Sequence, residues 1–151
     1  MKKITLSIIM VFITCIGFSQ SKTSSVKDKK TTTETSQGHR IVFQMTSGDT
    51  LAHLSLMKQL VNVLTVSPST KIVVVCHGPG LEMLVTEKSI VGDKIKSQIA
   101  KGVVFDACEF AMKTRNVDKS EILPSVLVVP SGIIEIVTKV EEGWVYIKSG
   151  F

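Results

Sequence analysis

Hydrophobic and polar positions divide the chain into three stretches of different character. Residues 4–18 are almost all apolar, residues 20–38 almost all polar, and from Ile41 onward short apolar runs alternate with segments of helical spacing. In that third stretch Ile41-Val42-Phe43-Gln44-Met45 is rich in β-formers and stops at Thr46-Ser47-Gly48-Asp49, which predicts a strand followed by a turn. Thr50 to Val66 predicts a helix. Leu51, Leu54, Val61 and Leu64 keep its period, Ser47 or Asp49 can cap it, and Pro68 ends it. Lys71 to Cys76 is apolar after its first residue and does not alternate, the pattern of a strand covered on both faces.

His77-Gly78-Pro79-Gly80 breaks that strand as a tight turn, and Leu81 to Val85 predicts a short helix. Val91, Ile95 and Ile99 mark an amphipathic helix stopped by Gly102. A third strand follows over 103–107, then a helix from Cys108 to Arg115, a capping pattern Asp118-Lys119-Ser120-Glu121, and a fourth strand over 125–129. Residues 133–140 read either way, because Ile and Val favour strand while the preceding Pro130 and following Gly143 punctuate like a helix. Ile133, Val137 and Val140 share one helical face, so helix is the reading adopted. Trp144 to Lys148 forms a fifth strand, with Trp144 and Tyr146 read first as packing residues. Strand and helix alternate throughout, which predicts an α/β domain with a mainly parallel five-stranded sheet between helices.

In such sheets ligands and chemistry collect at the carboxyl ends of the strands. Three post-strand segments qualify: Thr46 to Asp49, His77 to Gly80, and Ala107 to Glu109. Cys108 is the sharpest feature, since a thiol at a helix N-terminus has its thiolate stabilised by unpaired backbone N–H groups. Neighbouring Asp106 and Glu109 oppose that ionisation, and an inert buried thiol is the competing reading. His77 is placed to orient or protonate a group near Cys108, or else to bond a loop carbonyl. Ser47, Gly48, Asp49, Gly78 and Gly80 are the candidate binding positions around them. His53, early in the first helix, reads as a partly exposed surface residue, and Cys76 as a structural thiol inside its strand.

The first two stretches change the meaning of the charge. Lys2 and Lys3, the apolar run 4–18, and small Gly17 and Ser19 before Gln20 have the order of a secretory signal peptide over 1–19, too short to span a bilayer as a stable anchor. Thr14 precedes Cys15 where a lipoprotein signal usually has a small residue, which argues against lipid attachment. Residues 20–38 hold Val26 as their sole large apolar side chain and predict a disordered tether, leaving 39–151 as the folded domain. Of the formal +5 carried by 151 residues, two units fall in the leader and two in the tether, so the domain keeps +1. A net charge that small, without interleaved aromatic and basic residues, argues against nucleic acid as partner. The chain is expected to be exported.

No Gly-rich phosphate loop, serine elbow or compact Cys/His spacing occurs, so neither a cofactor nor a metal is expected. If strands two and three flank strand one, Cys76 and Cys108 lie two strand spacings apart, about 10 Å, beyond the reach of a disulfide. Two free thiols are therefore expected.

Several segments together resemble the DsrE/DsrF-like family. They are Phe43-Gln44 with Thr46-Ser47-Gly48-Asp49, Asn62, Val75-Cys76-His77-Gly78-Pro79-Gly80, Gly102-Val103 to Ala107-Cys108, Leu123-Pro124, Val129-Pro130-Ser131-Gly132 and Glu142-Gly143-Trp144-Val145-Tyr146-Ile147. The likeness runs in order through 39–151. It implies a flavodoxin-like three-layer sandwich that assembles with itself as a homotrimer or homohexamer. It also implies a sulfur carrier in which Cys108, matching the family's Ala-Cys motif, holds a persulfide exchanged with a donor or acceptor protein or a small thiol. Relatives of this type often follow Ala-Cys with Gly-Asn-Thr or similar. Here Glu109-Phe110-Ala111 follows, removing polar groups and adding a carboxylate beside the thiol. The alternative is a non-enzymatic oligomer that binds a small ligand at the same strand ends with Cys108 inert.

Overall fold

The computed structural model describes residues 38–150. The expected leader over 1–19 and the polar stretch over 20–38, apart from its last residue, lie outside them. Five strands, β1 (Arg40–Met45), β2 (Lys71–Cys76), β3 (Val104–Cys108), β4 (Leu127–Val129) and β5 (Val145–Ser149), form one sheet in which every pairing is parallel. Four helices connect them: α1 (Thr50–Val66), α2 (Gly92–Ile99), α3 (Glu109–Thr114) and α4 (Gly132–Glu141). The fold is α/β, three-layered, and flavodoxin-like in its architecture, as the alternation predicts.

The strand order is β4-β3-β2-β1-β5, which corrects the expectation that strands two and three flank strand one. The physical reason lies in the crossovers. Parallel connections are right-handed, so successive helices laid on one face move the chain in one direction along the sheet. Side chains of α1, α2 and α3 share a single core with Phe43, Met45, Val74, Cys76, Phe105 and Ala107, and the chain accordingly steps β1, β2, β3, β4 without reversing. It then crosses the opposite face through α4, where Ile136 packs on Val42, Val73 and Val75, and returns to the far side of β1.

Cys76 and Cys108 are both free, as expected, but not because two strand spacings part them. Cys76 is in register with Ala107, and Cys108 stands one residue further along β3. A one-residue step turns a side chain to the other face. Cys76 thus joins the α1–α3 core, while the Cβ of Cys108 is turned toward the start of α4.

Both long helices form where the periodicity predicts, yet each buries a different stripe from the one singled out in the sequence. In α1 the buried positions are Ala52, His53, Leu56, Met57 and Leu60, and Leu51, Leu54 and Val61 face out. In α4 Gly132 and Ile136 are buried, and Ile133, Ile134, Val137 and Val140 are exposed. These helices are apolar on more than one face, so spacing alone does not select the inward one. His53 lies on the inward stripe of α1, buried, with its Nε2 2.8 Å from the Ser47 carbonyl oxygen. That corrects its reading as a surface residue. The His77 turn and the short helix after it are one 3-10 segment, Gly78–Leu84. The capping pattern at Asp118 forms as read, with Asp118 accepting from Ser120 N at 2.9 Å and Glu121 accepting from Asp118 N at 2.7 Å.

Candidate functional site

The place where a doubly covered sheet opens is where adjacent strands send their connections to opposite faces. Here β3 leads into α3 on one face and β4 into α4 on the other. A cavity of about 520 Å³ lies at this divergence, lined by His77, Gly78, Pro79, Cys108, Phe110, Ala111, Thr114, Arg115, Ser131 and Ile133. The two residues ranked first by sequence, Cys108 and His77, thus share one wall.

Cys108 ends β3 and caps α3 with extended backbone angles, and its side chain makes no capping hydrogen bond. It is 6% exposed. The carboxylate that follows it is not free: Glu109 Oε1 pairs with Lys113 Nζ at 2.9 Å, one helical turn on. Gly132 packs against both candidate residues from the start of α4. A Cβ there would stand 3.1 Å from Val75 Cγ1 and 3.2 Å from the Cβ atoms of both Cys108 and His77, so α4 approaches the two candidate residues this closely only through glycine. Ser131, the N-cap of α4, accepts from Ile134 N at 3.4 Å.

His77 is fixed from two sides. Its backbone N–H donates to Met45 O at 3.1 Å. Gly80 locks the turn behind it, because a side chain there would collide with the Met45 carbonyl, 2.3 Å from an ideal Cβ. On the ring, Gln44 Nε2 donates to His77 Nε2 at 2.7 Å, while Gln44 Oε1 accepts a short hydrogen bond from the Tyr146 hydroxyl. An imidazole that accepts at Nε2 carries its hydrogen on Nδ1 and is neutral. Burial acts in the same direction, lowering the pKa of His77 below its ordinary value. The Tyr146–Gln44–His77 relay therefore presents a neutral ring with an Nδ1–H donor.

The remaining predicted positions divide. Gly78 lines the cavity and Gly80 is buried beneath it. Ser47, Gly48 and Asp49 do not line it. Asp49 accepts from Leu51 N at 2.8 Å as the cap of α1, Ser47 Oγ accepts from Asp49 N at 3.1 Å, and Gly48 packs near Pro79. Cys76 is fully buried, and that burial, with Asp106 adding, pushes its thiol far above the ordinary range. Asp106 is itself 2% exposed, with Oδ1 lacking a hydrogen-bond partner among the described residues. Desolvation, with Glu135 on α4 adding and Lys139 opposing, pushes its pKa up to about 6. Among the described residues no three His, Cys, Asp or Glu side chains gather to hold a metal ion.

Ser131 and Ile133 complete the cavity after β4, with Gly132 packed between them against Cys108 and His77, in a segment whose sequence signal, Pro-Ser-Gly after an apolar run, reads first as a helix lead-in. The partnership of Gln44 with Tyr146 spans 102 residues, and no local pattern points to it.

Comparison with known proteins supports the fold. Among solved structures the chain is similar to a protein of unknown function, MTH1491, from Methanobacterium thermoautotrophicum, at 30% identity and TM-score 0.70, covering 73% of this chain and 98% of that one. It also shares its fold with a conserved protein of unknown function, BT1422, from Bacteroides thetaiotaomicron, at 15% identity and TM-score 0.61, covering 72% and 93% of the two chains. A comparison with curated proteins gives no match. The profile of the DsrE/DsrF-like family, a family associated with sulfur relay, matches residues 30–149. With a cysteine at the end of β3 and most of its length matched, the chain belongs to the DsrE/DsrF-like family.

Proposed function

We propose that the protein is a sulfur carrier and that Cys108 holds the transferred sulfur as a persulfide. The observation that carries this reading is the meeting of Cys108 and His77 in one cavity at the divergence of β3 and β4. In the loading step the Cys108 thiolate attacks the outer sulfur of a donor R–S–SH. The donor S–S bond breaks, a new S–S bond forms at Cys108, and RS⁻ leaves and takes up a proton. In the unloading step an acceptor thiolate attacks the terminal sulfur of the Cys108 persulfide and restores the Cys108 thiolate. No net oxidation occurs in either step. A neutral His77 suits a role as hydrogen-bond donor to the anionic sulfur through Nδ1–H.

The wider setting is part of the same proposal. The basic, apolar and small-residue order of residues 1–19 supports export, and the exposed Ile134, Val137 and Val140 of α4, away from the cavity, support self-association as a trimer or hexamer. Intact mass after incubation with a sulfane donor tests the chemistry. A one-sulfur increment on the wild type and none on Cys108→Ala is expected; an equal increment on both proteins defeats the proposal. A second reading, a ligand-binding module with an inert thiol, is favoured by the low exposure of Cys108, and an unmodified wild type selects it.

A further inference from the structure

The charges near the Cys108 cavity are already committed within the protein. Arg115 is the cationic side chain in the wall, and its guanidinium is held by Glu82 at 2.5 Å. Lys113, on the same helix as Phe110, is held by Glu109. His77 accepts a hydrogen bond from Gln44 and carries no charge to offer. One unused donor remains in Arg115 Nε, buried and without a partner among the described residues. It can meet a single lone pair, which is far less than a multiply charged ligand needs.

Apolar surface, by contrast, lies open at the same place. Phe110, in the first turn of α3, is 64% exposed, and Ile133, in the first turn of α4, is 51% exposed. They come from the two elements that diverge around the cavity, and Pro79 and Ala111 complete the apolar wall.

We propose that the sulfur exchanged at Cys108 travels on small thiols with an uncharged apolar body, alkyl or aryl hydropersulfides R–S–SH, rather than on small thiols whose body is ionic. This rests on the persulfide reading of Cys108. The transfer is the one already written: the thiolate takes the outer sulfur, the donor S–S bond breaks, and the protonated thiol R–SH departs. R alone is read by Phe110 and Ile133. A body of benzyl size fits a cavity of about 520 Å³. Bringing a body with two carboxylates and an ammonium into the same space strips water from charges that find no partner.

Benzyl hydropersulfide and glutathione persulfide share their reacting group and differ in R, so they are the probes. Each rate of Cys108 loading, followed by intact mass, is divided by the same donor's rate with a small free thiol. The corrected rate is expected to favour the benzyl donor by about tenfold, the size of effect that burying one aromatic face supplies. Phe110→Ala narrows that ratio, and Phe110→Lys shifts it toward glutathione persulfide. Both substitutions fall at an exposed position, where folding is not at stake. Equal corrected rates, or a faster glutathione donor on the wild type, overturn the proposal. If neither donor loads Cys108, the persulfide reading fails by itself, and the unreactive thioethers benzyl methyl sulfide and S-methylglutathione decide the specificity by ligand-observed NMR. Saturation transfer to the first and not the second upholds an apolar site; transfer to neither, or to both alike, overturns it.

Discussion

Cys76 and Cys108 lie on neighbouring strands within one residue of facing each other, and both are buried in one apolar cluster, but only Cys108 also lines a cavity. Cys76 is sealed in the α1–α3 core, where desolvation and the field of Asp106 keep its proton on. Cys108, one step further along its strand, stands at the N-cap of α3 and lines a cavity with a neutral histidine. The difference comes from strand alternation together with the side on which each connection leaves the sheet. A thiol inside a β-α-β repeat is sealed by its own crossover helix, whereas a thiol at the divergence of two crossovers, though nearly as buried, borders a cavity. Identical side chains thus receive different neighbours from topology.

The largest expected effect tests that contrast directly. Iodoacetamide should alkylate Cys108 in the folded protein and reach Cys76 only when the core opens, giving rates on the order of a thousandfold apart by peptide mapping. Comparable rates would abolish the distinction. Next in size, Gly132→Ala places a methyl 3.1–3.2 Å from Val75, Cys108 and His77. It should lower stability in urea by about 1–3 kcal/mol and slow alkylation of Cys108, with Cys76 unaffected.

Asp106 sharpens the comparison from between the two cysteines. Its carboxyl has a folded pKa of about 6 against an ordinary 3.8, so the folded state binds the extra proton between those values. Stability then falls as pH rises from about 4 to 6, and the penalty is fully present above 6. Asp106→Asn should therefore stabilise the protein by roughly 2 kcal/mol at pH 8, with the gain gone at pH 4, in paired denaturant titrations. A gain independent of pH would point to packing instead. The smallest effect belongs to Gln44→Leu, which removes the donor to His77 Nε2. A loss of about 1 kcal/mol is expected, with a shift of the His77 tautomer away from Nδ1–H in ¹⁵N spectra. An unchanged tautomer would show that the relay does not set it.

The alternation of strands and helices was open to reading because each element announces itself locally, by β-branched runs in β2 and β3 and by a cap and a stop at α1. Cys108 and His77 were legible for the same reason, since the end of a strand is a local event. What could not be read spans distance. An alternating pattern is compatible with more than one strand order, and the order decides which strand ends are neighbours. The inward faces of α1 and α4 were hidden by helices apolar on several sides, and His53 was misplaced with them. The contribution of Ser131 and Gly132 follows from α4 lying on the opposite face, which becomes visible once the crossovers are placed. Gln44 and Tyr146 meet because β5 returns to β1, and no window of sequence contains both.

That return also governs how the domain is made. The first strand of the sheet receives its outer neighbour from residues about a hundred positions later, Val42 pairing with Tyr146 and Gln44 with Lys148. During synthesis from the amino end, β1, β2 and β3 can pair while the outer edge of β1 stays open until Ser149 has emerged. Such distant pairings close slowly, and an unpaired edge of this kind is a template for another chain. The period of greatest aggregation hazard therefore falls in the newborn polypeptide and ends when β5 docks.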